Sequence, residues 1–340
     1  MQAITIGLDI AKSVFQVHGV DAAGRTVVRK RLARGRVLTF FANLPPCVVG
    51  LEACGGAHFW ARELQALGHD ARLMPPKDVK AYVKTNKHDA ADAEACCEAV
   101  QRPGMRFVAV KSAEQQAVAM LHRVRDQLVG QKTATINALR GHLTEFGLVA
   151  AKRRAGLREL LEILGDLEDP RIPPLARTTL ASLVDQLKDL EARIGDFDRQ
   201  LVDQTRTDPV CRRLAEVPGV GPVIATALRA AVPDPSRFHS GRHLAAWLGL
   251  VPAQHSTGGK PRPLGISKRG DAYLRRQLIH GARALVRVSR GRSGGLWSWV
   301  EGLLARRPFN VAVAAVANKL ARILWAMLSR GEAYRAPAMT

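Results

Sequence analysis

Short apolar runs separated by turn residues fill the first hundred positions, a pattern of alternating strands and helices. Ile4, Ile6 and Leu8 form an apolar run within Ala3 to Lys12 that reads as a buried strand and leads to one carboxylate, Asp9. Val14 to Val20 and Thr26 to Leu32 are two β-rich runs around Asp21-Ala22-Ala23-Gly24, which predicts a hairpin. The chain therefore opens with three antiparallel strands. Val37 to Leu44 predicts a helix stopped by Pro45-Pro46. Cys47 to Leu51 is a short buried strand ending at Glu52, and His58 to Leu67 has helical spacing up to Gly68. Ala71 to Met74 reads as a strand stopped by Pro75-Pro76, and His88 to Val100 as a helix.

Residues 113–148 read as one long helix. Beyond Pro173-Pro174 the apolar positions Leu180, Leu183, Leu187, Leu190, Ile194, Phe197 and Leu201 follow a heptad spacing, the seam of a coiled coil. Its partner is either the preceding helix of the same chain or the same helix of a second chain. The regularity favours the second, a homo-oligomer (dimer or tetramer). Val217-Pro218-Gly219-Val220-Gly221-Pro222 is a turn between helical stretches, either a plain tight turn or a hairpin whose Gly219 and Gly221 let backbone N–H groups approach a phosphate. A polar loop, Gln254 to Gly265, precedes a basic helix from Asp271 to Arg290. Three strands, a helix, then alternating strand and helix is the order of an RNase H-like fold. The expected architecture is α/β plus α: an RNase H-like domain over 1–150, a coiled-coil segment over 151–205 and a mainly helical domain over 206–340.

Charge changes the picture of the last third. The net charge is +21, and residues 241–340 hold 17 Lys and Arg against 3 Asp and Glu. A basic block on a chain that is 47% hydrophobic points to a polyanion, most often nucleic acid. No apolar run reads as long enough to span a bilayer, and no signal peptide is visible, so a cytoplasmic, nucleoid-associated protein is expected. The five cysteines are odd in number and lack zinc-ligand spacing, so most of them read as buried thiols.

Four acids carry the candidate chemistry. Asp9 and Glu52 end separate strands, while Asp89 and Asp92 are three apart on a helix and share a face. Each alone reads equally as a turn cap or a solvated helix-start acid. Together they would repel one another unless cations compensate them. Hard oxygen ligands on rigid elements suit Mg²⁺, and two such ions would clamp the attacking and leaving oxygens of a phosphoryl transfer. A second constellation is His255-Ser256-Thr257-Gly258-Gly259-Lys260 with Ser267-Lys268-Arg269-Gly270. A hydroxyl beside glycines in a basic loop is a candidate nucleophile toward phosphate, or else a flexible turn. Lys260, Arg262, Lys268, Arg269, Arg275 and Arg276 are the expected phosphate contacts.

GLDIAK, GLEACGG, KHDAADAEA, VPGVGP, HSTGGK and ISKRGDAYLRR, in that order, resemble the DEDD transposases of the bacterial insertion-sequence families numbered 110 and 1111, relatives of the Piv-type invertases. The resemblance covers nearly the whole chain. It implies a RuvC-like domain whose Asp9, Glu52, Asp89 and Asp92 bind Mg²⁺, a coiled-coil segment, and a C-terminal domain with a nucleophilic serine. It also implies a structured guide RNA, made from the element itself, that pairs with donor and target DNA. The family serine directly precedes a glycine, whereas here Thr257 does. A one-residue shift puts Ser256 in place, and its less hindered primary alcohol favours Ser256. The expected function is an RNA-guided DNA recombinase with a covalent serine–DNA intermediate and one composite site. The rival readings are a RuvC-like endonuclease or junction resolvase working by metal-dependent hydrolysis, and a DNA-binding protein with a degenerate acid set.

Overall fold

The computed structural model describes residues 2–83, 89–255 and 262–335. Two compact units emerge, Met1–Gln116 with Val232–Asp234, and Ala117–Ala231 with Pro235–Thr340.

The first unit is built on a five-stranded sheet. Its elements are β1 (Thr5–Asp9), β2 (Val14–Val20), β3 (Thr26–Ala33), α1 (Val37–Ala42), β4 (Val48–Glu52), α2 (Ala57–Ala66), β5 (Asp70–Met74), α3 (Pro76–Val79) and α4 (Asp89–Val100). The strand order is β3-β2-β1-β4-β5. β1, β2 and β3 pair antiparallel, as the hairpin signal predicts, while β1–β4 and β4–β5 are parallel. Alternation divides the strands between two faces. Ile6, Leu8, Phe15, Val17, Val49 and Leu51 pack with Phe41, Trp60 and Leu64 of α1 and α2 in one buried core. Each such side chain contributes about 1.5–3 kcal/mol when fully buried.

Helix α4 covers the opposite face, where the strands carry glycine. A Cβ at Gly7 of β1 would collide with the carbonyl of Ala93 and the amide of Cys97. A Cβ at Gly50 of β4 would lie 2.7 Å from Val100 Cβ and 2.9 Å from the Cys96 carbonyl oxygen. The helix backbone therefore rests directly on the sheet, and Ala93, Cys96, Cys97 and Val100 are buried there.

The second unit is helical: α5 (Ala113–Thr144), most of which belongs to it, then α6 (Arg154–Gly165), α7 (Pro174–Thr207), α8 (Pro209–Leu214), α9 (Pro222–Ala231) and α10 (Gly241–Trp247). A two-stranded ribbon follows, β6 (Pro252–Gln254) with β7 (Pro263–Ile266), then α11 (Ala272–Arg287), α12 (Gly295–Leu304) and α13 (Phe309–Arg330).

The heptad seam finds its partner inside the chain. Leu180 and Leu187 are buried with Leu139 and Leu143 of α5 and with Leu160 and Leu164 of α6. Ion pairs Arg125–Asp198 (2.6 Å) and Lys132–Glu191 (2.7 Å) lie one heptad apart and run in opposite senses along α5 and α7, so the two helices are antiparallel. The expectation of a seam shared by two chains is corrected on this point, because periodicity specifies the buried face but not the chain that covers it.

Helix α13 corrects a second expectation. By length and composition it could cross a membrane, although Lys319 and Arg322 interrupt its apolar run. Eight of its residues, from Ala312 to Met327, are buried, and it packs on α10, α11 and α12 as a core helix does.

Candidate active site

Asp9 and Glu52 are the last residues of neighbouring parallel strands. Leu8 pairs with Leu51, so the two acids follow side by side, with backbones about 5 Å apart. Both lie two residues beyond a glycine on which α4 rests, and alternation puts them on the α4 face.

α4 brings the other two acids to the same end. Cys97 Sγ lies 3.6 Å from the Thr5 carbonyl oxygen and Ala93 sits over Gly7, so α4 runs against the direction of β1. From Ala93 back to Asp89 is four helical residues, about 6 Å of rise. From Gly7 on to Asp9 is two strand residues, about 6.6 Å. Asp89 therefore reaches the level of Asp9, and the same step from Cys96 over Gly50 carries Asp92 to the level of Glu52. Asp9, Glu52 and Asp92 are half-buried and Asp89 is exposed.

Two thiols register this gathering of charge. Burial first, then the charges of Asp9 and Glu52, and then Asp92, push the Cys96 thiol well above its ordinary range. Cys54, just past β4, is raised by desolvation and then by Glu52, with a smaller push from Asp9. Raised thiols of this kind stay protonated and are poor nucleophiles. The donor set fits a hard divalent cation, being all carboxylate and drawn from three elements. Among the described residues no three His, Cys, Asp or Glu side chains stand close enough together to hold an ion as they are.

The serine loop is carried by the β6–β7 ribbon, which pattern reading takes for an irregular loop. Its ladder extends to His255, whose N–H donates to the Arg262 carbonyl at 3.2 Å. Ser256, Thr257 and Lys260 lie outside the described residues. At the base of the ribbon, a Cβ on Gly249 would strike the backbone of Arg269, and one on Gly270 would strike the Trp247 carbonyl. Lys268 sits between them with φ 54°, a left-handed value rare for a residue with a side chain. Arg262, Lys268 and Arg269 are exposed.

The remaining expected contacts, Gly221 apart, are engaged within the fold. Arg275 donates to the carbonyls of Leu248 (3.1 Å) and Arg269 (2.7 Å). Arg276 pairs with Asp126. Gly219 has φ 83° and meets Gly281 of α11 backbone to backbone, reason enough for glycine there. Gly221, exposed before α9, has no such packing.

Pattern reading misses what pairing register reveals. Gln16 pairs with Asp9 on one side and with Arg31 on the other, so Arg31, Gln16, Asp9 and Glu52 form one row across the α4 face. The two facing glycines, Gly7 and Gly50, are the sequence signal that a helix lies over β1 and β4.

Carboxylates grouped at strand ends in a strongly basic chain are the equipment of an enzyme acting on nucleic acid. Residues 6–147 match the family profile DEDD_Tnp_IS110, described as a transposase, and residues 211–294 match "Transposase IS116/IS110/IS902 family". A transposase cuts and rejoins DNA. A "Probable family 20 transposase" of Pseudomonas aeruginosa is 54% identical over 98% of this chain and 99% of its own. The "Transposase for insertion sequence element IS1111A" of Coxiella burnetii is 42% identical over 98% and 92%. That for IS1328 of Yersinia enterocolitica is 40% identical over 97% and 98%. The chain belongs to the IS110 family of insertion-sequence transposases.

Proposed function

We propose that this transposase is an RNA-guided recombinase whose RuvC-like domain cuts DNA with Asp9, Glu52, Asp89 and Asp92 and whose loop serine holds the cut end. The observation that carries the reading is the gathering of acids from β1, β4 and α4 at one end of the sheet. The four carboxylates would hold divalent metal, Mg²⁺ and in all two ions. Such ions supply Lewis-acid stabilisation of charge on the phosphate oxygens.

In the strand-transfer step the Ser256 hydroxyl attacks the phosphorus of a DNA phosphodiester. A serine–phosphate ester forms, the bond from phosphorus to the leaving sugar oxygen breaks, and that oxygen is protonated. The serine proton passes to a base, for which the neighbouring His255 is suited. Attack by the sugar hydroxyl of another strand reverses these changes and releases serine, so the energy of the broken bond is retained. Lys268 and Arg269, both exposed, and Gly221 before α9 are suited to phosphate contact. Guidance by an element-encoded RNA rests on the motif resemblance. Rejoining several strands calls for more than one subunit, with an interface other than the leucines already buried in the α5–α7 pair.

The test is detection of a protein–DNA adduct on a denaturing gel with guide RNA, target DNA and Mg²⁺ present. Ser256→Ala should abolish the adduct and Thr257→Ala should spare it. Asp9→Asn should lower adduct and cutting by at least about a thousand-fold, the scale on which one member of a catalytic set acts, with DNA binding retained. Cutting without an adduct in any variant would favour hydrolysis by a RuvC-like endonuclease.

A further inference from the structure

Beside the acids lies a basic groove that neither the motifs nor the family match assigns. A cavity of about 460 Å³ opens between β2, β3 and α4, lined by Gln16, His18, Arg29, Arg31, Ala90 and Glu94 among others. We propose that this groove seats the DNA strand flanking the phosphate to be cut, with Arg31 and Arg29 on its phosphates. The proposal rests on reading the four acids as the cutting site.

Three observations lead to it. First, the groove borders the acids: none of the four lines it, but Gln16 and Ala90, which do, are the cross-strand partner of Asp9 and the residue after Asp89. Arg31, Gln16 and Asp9 occupy one cross-strand row, and Arg29, His18 and Gly7 the next. Adjacent strands are about 4.8 Å apart, so Arg31 stands about 10 Å from Asp9, within a few nucleotides of any phosphate held at the acids. Second, the two arginines lie on the α4 face. Arg29 reaches Glu94 of α4 at 3.3 Å, while Lys30 between them turns to the other face and sits over the Phe40 ring. Third, Arg31 is exposed and has no acidic partner among the described residues, and β3 is an edge strand. Edge strands carry charge to discourage pairing with other sheets. That need is met by charge on either face and does not require a cavity beside the carboxylates. A polyanion that must bring one phosphate to a cluster of acids needs cations flanking that cluster, since like charges would otherwise repel it. Arg31 and Arg29 supply them on the β3 side.

The experiment measures binding of the full chain to a fluorescein-labelled 30-base-pair random-sequence DNA duplex over a salt series, in chelator so that no cutting occurs. Each lost phosphate contact lowers the slope of log affinity against log salt by about 0.9. Arg29→Gln with Arg31→Gln should therefore flatten the slope by between one and two. Arg31→Lys should keep the slope of wild type, and Arg36→Gln, an exposed cation outside the groove, should leave it unchanged. An unchanged slope in the double variant overturns the proposal, as does an equal loss in Arg36→Gln. A loss seen with an RNA duplex of the same length and not with DNA overturns the choice of DNA. Failure of the wild-type chain to cut target DNA with guide RNA and Mg²⁺ present would instead sink the reading of the acids, so the two failures are separable.

Discussion

The acid end of the sheet and the serine ribbon make opposite demands on the fold. The acids sit on rigid elements, two strand ends and the first turn of a helix, with α4 resting on bare strand backbone at Gly7 and Gly50. The hydroxyls belong to a segment joined to strands of three and four residues, each beginning with proline. A ribbon that short has little stability of its own. Its base is fixed by the same device, close backbone contact at Gly249 and Gly270. Carboxylates that repel one another need a frame that resists them, whereas the nucleophile proposed for the loop needs only to be delivered to its phosphate.

The contrast can be broken at its glycines. Gly7→Val forces side-chain atoms into the α4 backbone and should cost about 3 kcal/mol or more, beyond the usual range for overpacking because backbone must move. Urea unfolding would show it, together with loss of cutting. Gly249→Val, at φ 70° against Arg269, should lower cutting and the serine adduct together while leaving Mn²⁺ binding at the acids intact. If Gly249→Val weakened Mn²⁺ binding at the acids as well, the division of labour between the two regions would fail.

The difference between the regions also explains what the sequence discloses. β1 to β5 and α4 follow from apolar alternation and turn residues, and the four acids stand out because carboxylates are rare at the ends of apolar strands. β6 and β7 escape that reading because proline argues against a strand and three or four residues give no period. α6, α10 and α12 are short, and α13 shows only its Val311–Ala317 run. Arg31 goes unnoticed because only the pairing Asp9–Gln16–Arg31 places it beside the acids.

The α5–α7 pairing predicts that Leu187→Ala costs about 2–5 kcal/mol, as for other core truncations. Elution from a sizing column should stay unchanged. Dissociation into smaller species would restore the seam to an interface between chains.

The frame that follows the ribbon gives a smaller, pH-dependent effect. His122 is buried, its ring nitrogens 2.9 Å from the Tyr273 hydroxyl and 3.0 Å from the Thr226 hydroxyl. Burial, and next the Arg125 charge, lower its pKa to about 4. The unfolded chain binds this proton near pH 6.5 and the folded chain does not, so the stabilisation is present above pH 6.5 and is lost as pH falls toward 4. Its size is on the order of 3 kcal/mol at most. Wild type should lose more stability than His122→Gln between pH 7 and pH 4, and parallel curves would assign the loss to other groups.

The central claim is that acids from three elements act as one set. Mn²⁺ titration followed by electron paramagnetic resonance tests it on the full chain, without substrate. Asp9→Asn, Glu52→Gln and Asp92→Asn should each weaken Mn²⁺ binding by at least about ten-fold, because each removes a charged oxygen donor from the same ion. Binding equal to wild type in all three variants would contradict the account.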